Sequence, residues 1–541
     1  MNAWIDRSFA DALAWAEATH GDNEAVVAGE IRWSYRDLVD AVRDFARGLI
    51  DLGVGPGDPV ALWMSDGLDW LVARWAIPAI GAILVPINSR FRDHELRYVL
   101  RQSDARFLIL RDGWRGTQAF EILGGIVGEL EHQARGDWRS PELPELRHVI
   151  AAGNSPPDSV LPFTAVSALG AYLRRRDDLL ERRCATVRPD DVAQILYTSG
   201  TTSFPKGAMV CHGPLLQNNF SALERMNLTP ADRYLATAPL FSATGTAFTL
   251  WMLLAGGTLV LLGPYDVESL CRVVERERIT ASFFVEPIVQ DLAHFAGRTD
   301  YDLSSLRTGT GIPLSAASAS WLIETVGVRD YIGVYGLSES SNAACRGHWN
   351  DPLETRIATV GHPSPGVGLE IRDLESGAAL PPGGVGEICL HGYTVMKGYY
   401  RMPEETAKAI DEDGWLHTGD LGELTQEGRV IFRGRLKEMI KPGGFNVATL
   451  EIEDFIKSHP AVAECIVVGV PDPRYGEIGY AYVELQPGRS VGEAELIAYC
   501  KAHIAGFKVP KYIEFVAEWP RTSTGKPRKL ELKQRAGERI A

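Results

Sequence analysis

Between Tyr197 and Val210 the chain reads YTSGTTSFPKGAMV, a run of hydroxyl side chains with two glycines and one lysine. Small residues leave backbone N–H groups open, hydroxyls add donors, and Lys206 brings a mobile positive charge, which together make a phosphate cradle. The P-loop of nucleotide hydrolases is excluded, because it needs a glycine, four residues and then Gly-Lys-Ser/Thr running into a helix. Here Lys206 precedes Gly207, and Pro205 disfavours helical geometry at Phe204. The same residues also suit a polar hairpin turn.

Further stretches add companions to this loop. VYGLSES sets Glu339, an oxygen ligand of the kind magnesium takes, near Tyr335, an aromatic able to stack on a base. GWLHTGDLGEL puts Asp420 in a tight turn, where a carboxylate can accept from two ribose hydroxyls. GRLKEMIKPGGFNV offers Arg435 and the pair Gly443-Gly444, and PRTSTGKPRK presents Lys526 among turn residues. Taken singly, each is as ordinary as a solvated cap or a surface lysine.

The elements that must carry these residues follow from length and pattern. A chain of 541 residues implies two or more domains. Its net charge of −15 argues against a general nucleic-acid or membrane-surface role. Seven cysteines, widely spaced and without a CxxC pair, read as reduced thiols of a cytoplasmic protein and suggest no zinc site. The N-terminal segment has acids inside its apolar pattern and reads as an amphipathic surface helix, not a signal peptide. Leu235–Tyr265 is uncharged and long enough to span a bilayer, but its prolines and glycines break it into strand, helix and strand, so a buried α/β unit is expected. The mixed-sign run 174–183 reads as a solvated helix. DPVALWM, GAILVPIN and ARFLIL read as strands and YRDLVDAVRDFARGLIDLGV as a helix, an alternation that predicts largely parallel α/β sheets. After about residue 360 short strand-like pieces between Gly-rich turns predict a β-rich subdomain, and the last hundred residues read as a compact α+β domain.

In this order the motifs resemble the adenylate-forming superfamily of acyl-CoA synthetases, adenylation domains and beetle luciferases. YTSGTTSFPKG, YGLSE, GEICLHGYTVMKGYY, GWLHTGD, GRLKEMIKPGGFNV, FKVPKYI and PRTSTGKPRK carry the resemblance along nearly the whole chain. It implies an N-terminal domain over residues 1–434 and a small mobile C-terminal domain over 438–541, hinged at Lys437. It further implies an ATP-dependent acid–CoA ligase that forms an acyl-AMP, releases pyrophosphate and passes the acyl group to CoA. A carrier protein as acceptor and a regulatory protein without catalysis stay open. Thr198, Ser199, Gly200, Thr201, Thr202 and Lys206 would cradle the ATP phosphates, and Glu339 would hold Mg²⁺. Tyr335, Gly336, Ser338, Gly311 and Ile312 would border adenine, with Asp420 and Arg435 on the ribose. Lys526 would stabilise the charge shared by the carboxylate and the α-phosphate. Lys441, Gly443 and Gly444 would line the channel for the pantetheine arm of coenzyme A. The partners implied are a small-molecule carboxylic acid, no nucleic acid and no stable membrane insertion, with a homodimer left open.

The chain departs from the family pattern in several places. Ser203 stands where glycine is usual and Ser338 where threonine is usual, and LRTGTGIPLS (306–315) is about two residues short. Ser242 replaces a histidine or bulky aromatic, and Glu286 replaces a proline. The departures cluster on the implied acyl pocket, formed by Ser242, Thr244, Phe248, Phe283 and Glu286. Small residues there suit a medium or longer aliphatic or alicyclic acid, and Glu286 is either a polar contact for the acid or an acid at a helix start.

Overall fold

The computed structural model describes residues 3–540 except 114–117, 154–155, 175–177, 199–204, 312–313, 315, 437–438, 446, 487, 518 and 521–528. It resolves into two compact units, one of residues 1–89, 97–197 and 207–434, the other of 90–96, 198–206 and 435–541.

The first unit is built on three sheets. An eight-stranded sheet has Pro59–Trp63, Ile83–Pro86 and Phe107–Arg111 at its parallel centre, as the three apolar runs predict. A nine-stranded sheet runs parallel from Glu24–Ala28 through Thr258–Leu261, Arg233–Ala236, Ala281–Phe283 and Thr308–Gly311 to Asp330–Leu337. Antiparallel strands close its two edges. Its central parallel strands are largely buried on both faces, which is why Tyr234–Ala236 and Thr258–Leu261 carry no charge and show no alternation. The third sheet, Val367–Arg372, Gly386–Gly392, Leu416–Leu424 and Val430–Arg435, is the expected β-rich subdomain. Together the parallel sheets and the β-rich addition make the α/β class anticipated from the sequence.

The uncharged segment folds as strand Arg233–Ala236, helix Ala243–Ala255 and strand Thr258–Leu261, with Gly256 ending the helix in the left-handed conformation (φ +75°). From Gly245 to Ala255 this helix is buried on every side, so it is apolar all round as a core helix must be. No helix among the described residues is long and apolar enough to cross a membrane. At the N-terminus, helix Phe9–His20 starts at a Ser8–Asp11 capping box and buries Phe9, Ala12, Leu13 and Ala16, the single apolar stripe of an amphipathic helix. The mixed-charge run is not one helix: Arg174 ends Phe163–Leu173, and a new helix, Leu179–Ala185, follows Asp178.

In the second unit a long hairpin, Val462–Asp472 with Gly476–Leu485, is joined in parallel by Tyr512–Phe515. The strand period of two splits its apolar side chains between two cores. Cys465, Val467, Ala481 and Val483 meet helices Thr449–Lys457 and Glu493–His503 on one face. Ile466, Val468, Val470, Tyr480 and Tyr482 meet Leu532 and Ala536 of helix Lys529–Ile540 on the other.

Candidate active site

Strand Asp330–Leu337 carries Tyr335 and Gly336 to its end, where a bulge shifts its pairing with Asn342–Arg346. A β-carbon at Gly336 would lie 2.2 Å from the Asn342 carbonyl oxygen, so only glycine fits there. A single 3₁₀ turn, Ser338–Ser340, follows, and Ser341 and Asn342 then both take left-handed backbone angles (φ +51° and +80°). Two consecutive non-glycine residues in that region carry strain, which must be held from outside. Asn218 supplies the hold: its Nδ2 donates to the Ser341 carbonyl (2.7 Å) and the Ala343 carbonyl (3.0 Å), while its Oδ1 accepts from Arg346 Nη1 and Ser364 Oγ (3.0 Å each).

This turn presents Glu339. Its carboxylate accepts a hydrogen bond from the Tyr399 hydroxyl (2.9 Å), and its backbone carbonyl accepts from Met396 N–H (2.8 Å). Burial first, and then the neighbouring Glu339 charge, push the Tyr399 phenol well up, so Tyr399 stays a donor at any ordinary pH. An anchored carboxylate is an oxygen ligand of the kind Mg²⁺ takes, and the chemistry of this donor fits that ion.

Asp420 lies in strand Leu416–Leu424 and is 1% exposed. The Tyr335 hydroxyl donates to its Oδ2 at 3.0 Å, tying the nine-stranded sheet to the four-stranded one. Burial and the Asp420 charge push the Tyr335 phenol well above its ordinary value. In place of the tight turn expected from the sequence, Asp420 sits in a bulged stretch of this strand, residues 418–420, that is fixed at each residue. Thr418 Oγ1 donates to the Ile388 carbonyl (2.7 Å) and accepts from Asp420 N–H (3.1 Å), while Gly419, at φ +68°, donates its N–H to Glu387 Oε1 (2.9 Å). A buried carboxylate can only accept, so its chemistry suits ligand hydroxyls. Tyr335 packs against Phe432, with ring centroids 5.8 Å apart.

The other expected residues fall as follows. Thr198 and Lys206 end and begin neighbouring strands, and the Thr198 hydroxyl donates to the Lys206 carbonyl at 3.4 Å. Ser199, Gly200, Thr201, Thr202, Ile312, Lys437 and Lys526 lie outside the described residues. Gly311 ends strand Thr308–Gly311, where a β-carbon would meet the Phe284 carbonyl oxygen at 2.0 Å. Ser338 opens the 3₁₀ turn. Arg435 closes strand Val430–Arg435, and Glu286 is the first residue of helix Glu286–His294, the helix-start position weighed for it. In the second unit the Lys441 N–H donates to Glu477 Oε2 (2.9 Å), and Gly443 and Gly444 form a left-handed turn (φ +59° and +83°).

In the expected acyl region Phe248 and Phe283 pack together with centroids 5.7 Å apart, and Phe248 also meets Tyr234 and Trp251, all four being buried. Thr244 lies in the first turn of helix Ala243–Ala255. Ser242 caps that helix: its hydroxyl accepts from Gly245 N–H (3.0 Å) and donates to the Pro239 carbonyl (2.7 Å). Its small size therefore has a local structural use. Asn218, Tyr399 and Glu387 were missed by sequence reading. Tyr399 and Glu387 sit inside a recognised motif, GEICLHGYTVMKGYY, whereas nothing in the sequence around Asn218 marks it.

Comparison with known proteins identifies the family and the fold. The AMP-binding enzyme family matches residues 13–400, and the AMP-binding enzyme C-terminal domain matches 451–526. The chain is 35% identical over 529 residues to a 3-[(3aS,4S,7aS)-7a-methyl-1,5-dioxo-octahydro-1H-inden-4-yl]propanoyl:CoA ligase of Rhodococcus jostii RHA1, covering 97% of this chain and 98% of that one. It is 32% identical over 523 residues to the human mitochondrial medium-chain acyl-CoA ligase ACSF2, covering 95% and 85%. Among solved structures, the amide bond synthetase McbA of Marinactinospora thermotolerans superposes with a TM-score of 0.82 at 27% identity, over 98% of this chain and 99% of that one. The anthranilate CoA ligase AuaEII bound to anthranoyl-AMP gives 0.70 at 26%, over 98% of each. With both family domains matched in order and relatives above 30% identity along nearly the whole chain, this chain belongs to the adenylate-forming AMP-binding enzymes.

Proposed function

We propose that this chain is a cytoplasmic ligase that couples a medium-sized aliphatic or alicyclic carboxylic acid to coenzyme A. As an AMP-forming acyl-CoA synthetase it works in two steps. A carboxylate is a poor electrophile, because oxide would have to leave, so its oxygen first attacks the α-phosphorus of ATP and pyrophosphate departs. The CoA thiol then attacks the acyl carbon of the mixed anhydride and AMP leaves. No general base is needed in the first step, since the acid is already ionised, and catalysis there rests on position and charge.

The observation that carries this reading is the buried Tyr335–Asp420 pair beside the anchored turn of Glu339. In it Asp420 receives the ribose hydroxyls, joined by Arg435, and Tyr335 flanks the base. Glu339 holds Mg²⁺, which when bound offsets charge on the phosphates. Thr198, Lys206 and the loop between them cradle the departing pyrophosphate. Lys526 steadies the reacting carboxylate and α-phosphate. The two steps need different groups at one site, so residues 438–541 swing about Lys437, and in the second pose Lys441, Gly443 and Gly444 line the channel for the pantetheine arm. The acid class is supported by the CoA ligases of ring-bearing and medium-chain acids among the relatives, and by the aromatic cluster around Phe248 and Phe283. Seven unpaired cysteines support a reducing compartment.

The test is a mass-spectrometric screen of acids from acetate to long-chain, aromatic and alicyclic, with ATP and Mg²⁺, with and without CoA. An acyl-CoA from a medium-chain or alicyclic acid is expected, while acyl-AMP with no thioester would move the acceptor to a carrier protein. Lys526→Ala should abolish acyl-AMP formation yet still make thioester from supplied acyl-adenylate, and equal loss of both steps would remove Lys526 from the first.

A further inference from the structure

Outside the nucleotide residues, one cluster of metal-ligating side chains has no part in the reaction as derived. Strands Gly386–Gly392 and Leu416–Leu424 pair antiparallel, with Cys389 opposite His417 and a bulge between Glu387 and Cys389. Residues 387 and 389 share a face by strand period, and the extra residues, 418–420, lie on the opposite strand, whose His417 imidazole reaches both side chains. His417 Nδ1 lies 2.9 Å from Glu387 Oε2 and 3.6 Å from Cys389 Sγ, and the three donor atoms are all within 4.8 Å of one another.

We propose that Glu387, Cys389 and His417 bind a thiophilic divalent cation of the zinc type. Tetrahedral zinc with ordinary bond lengths to S, N and O sets its donors about 3.3 to 3.6 Å apart. The sulfur–nitrogen spacing already meets that value, and the oxygen–nitrogen spacing reaches it by opening about half an ångström. Soft sulfur with imidazole selects zinc, cadmium or cobalt over magnesium, which separates this site from Glu339.

The surroundings are those of a metal site on both ligands that need orienting. His417 Nε2 faces Asp411 Oδ2 at 3.5 Å, and Asp411 is itself held by Arg372 Nη1 at 2.9 Å. Glu387 uses its second oxygen to accept from Gly419 N–H at 2.9 Å. A histidine whose far nitrogen meets a carboxylate, and a ligand carboxylate fixed by a further hydrogen bond, are the outer partners that set ligand geometry. Cys389 is buried, but the His417 and Glu387 side chains are 33% and 17% exposed, which leaves an approach for the ion and a fourth position for water. On binding, the Cys389 S–H bond breaks and a sulfur–metal bond forms, with the proton going to solvent. His417 coordinates through Nδ1 as neutral imidazole, its proton on Nε2 toward Asp411. One proton is released per ion, with no change of oxidation state.

The experiment titrates the full-length protein, stripped by chelator, with Cd²⁺ and Zn²⁺. Expected are a thiolate-to-cadmium charge-transfer band saturating at one equivalent, and release of one proton per Zn²⁺ by calorimetry in two buffers of different ionisation enthalpy. Cys389→Ser should abolish the band, and His417→Gln and Glu387→Gln should each weaken Zn²⁺ binding at least tenfold. Cys184→Ser, which removes a half-buried thiol elsewhere, should change neither. Thermal melting establishes that each variant is folded, and Glu387→Gln, which preserves shape, decides the matter if the other two are not. A band unchanged in Cys389→Ser, Zn²⁺ affinity unchanged in Glu387→Gln, or no saturable site would overturn the proposal.

Discussion

Replacing Asp420 by asparagine keeps its size and removes its charge. The wild-type carboxylate is buried and takes the Tyr335 hydroxyl at 3.0 Å, so the acceptor is fixed before nucleotide arrives. A hydrogen bond to a charged group contributes about 1.5 to 3 kcal/mol and one between neutral groups about 0.5 to 1.5. On the proposed role, in which Asp420 takes two ribose hydroxyls, each loses about 1 to 1.5 kcal/mol on substitution, or about 2 to 3 kcal/mol together. That corresponds to a fall of about thirtyfold to a hundred-and-fiftyfold in kcat/KM for ATP. A ribose contact remote from the reacting phosphorus would be equal before and during adenylation, so on the proposed role the loss belongs in KM, with kcat within a few-fold of wild type. Tyr335→Phe should cost about tenfold through the same parameter. The double variant should cost less than the product of the two, because both changes act on one carboxylate. The assay is pyrophosphate release with ATP varied at saturating acid, alongside calorimetric AMP binding. A KM for ATP within threefold of wild type in a folded Asp420→Asn protein, or a kcat that falls with KM unmoved, would refute the ribose assignment.

Tyr399→Phe removes the hydroxyl on Glu339 and should raise the Mg²⁺ concentration for half-maximal rate by about fivefold to tenfold, from one charge-assisted bond, whereas an unchanged Mg²⁺ curve would detach Glu339 from the metal. Asn218→Ala strips the support from the strained 341–342 turn and leaves Arg346 and two carbonyls short of a partner. It should destabilise by about 3 kcal/mol or more, seen as a melting shift of several degrees, and a shift under one degree would contradict the role of Asn218. His212 accepts Phe9 N–H on Nδ1 (3.2 Å), and burial, with Arg74 nearby, holds it down to about 3. The folded imidazole stays neutral while the unfolded one gains a proton below about 6.5, so stability is complete above that pH and is lost as pH falls. By pH 5 the loss is about 2 kcal/mol, and His212→Asn should flatten this slope. Imidazole C2 hydrogen exchange read by mass spectrometry should give a His212 midpoint far below 6, and a midpoint between 6 and 7 would contradict the burial argument.

What could be read from the sequence was whatever lies within a few residues along the chain. Glu339 and Asp420 stand out in the sequence as carboxylates near glycine, although Asp420 lies in a bulged strand and not in the tight turn expected, and the Leu235–Tyr265 segment declares strand, helix and strand through its own prolines and glycines. Ser242 was singled out for its small size beside the implied acyl pocket, and the structure gives it a further use as the cap of helix Ala243–Ala255, a role that serine just before an apolar helical run also signals. The partners that make the site rigid were not legible, since Tyr399 meets Glu339 from 60 residues away and Asn218 meets the Ser341 carbonyl from 123.

The metal-ligating cluster shows the same limit more sharply. The absence of a CxxC pair argued against a zinc site, and along the chain that reasoning is sound. An antiparallel register brings Cys389 opposite a histidine 28 residues away, and Glu387, two residues before it on the same strand, shares its face. Ligand spacing in sequence is a guide only when the ligands share a turn; when a sheet supplies them, the register and the strand period decide. Glu387 also accepts from the N–H of Gly419, one residue before Asp420, so the cluster is joined by one hydrogen bond to the segment that carries the proposed ribose carboxylate. If Zn²⁺ binds there and shifts that segment, KM for ATP should rise with occupancy in wild type and stay level in Cys389→Ser. A KM indifferent to bound Zn²⁺ would show that the ion sits beside the segment without moving it.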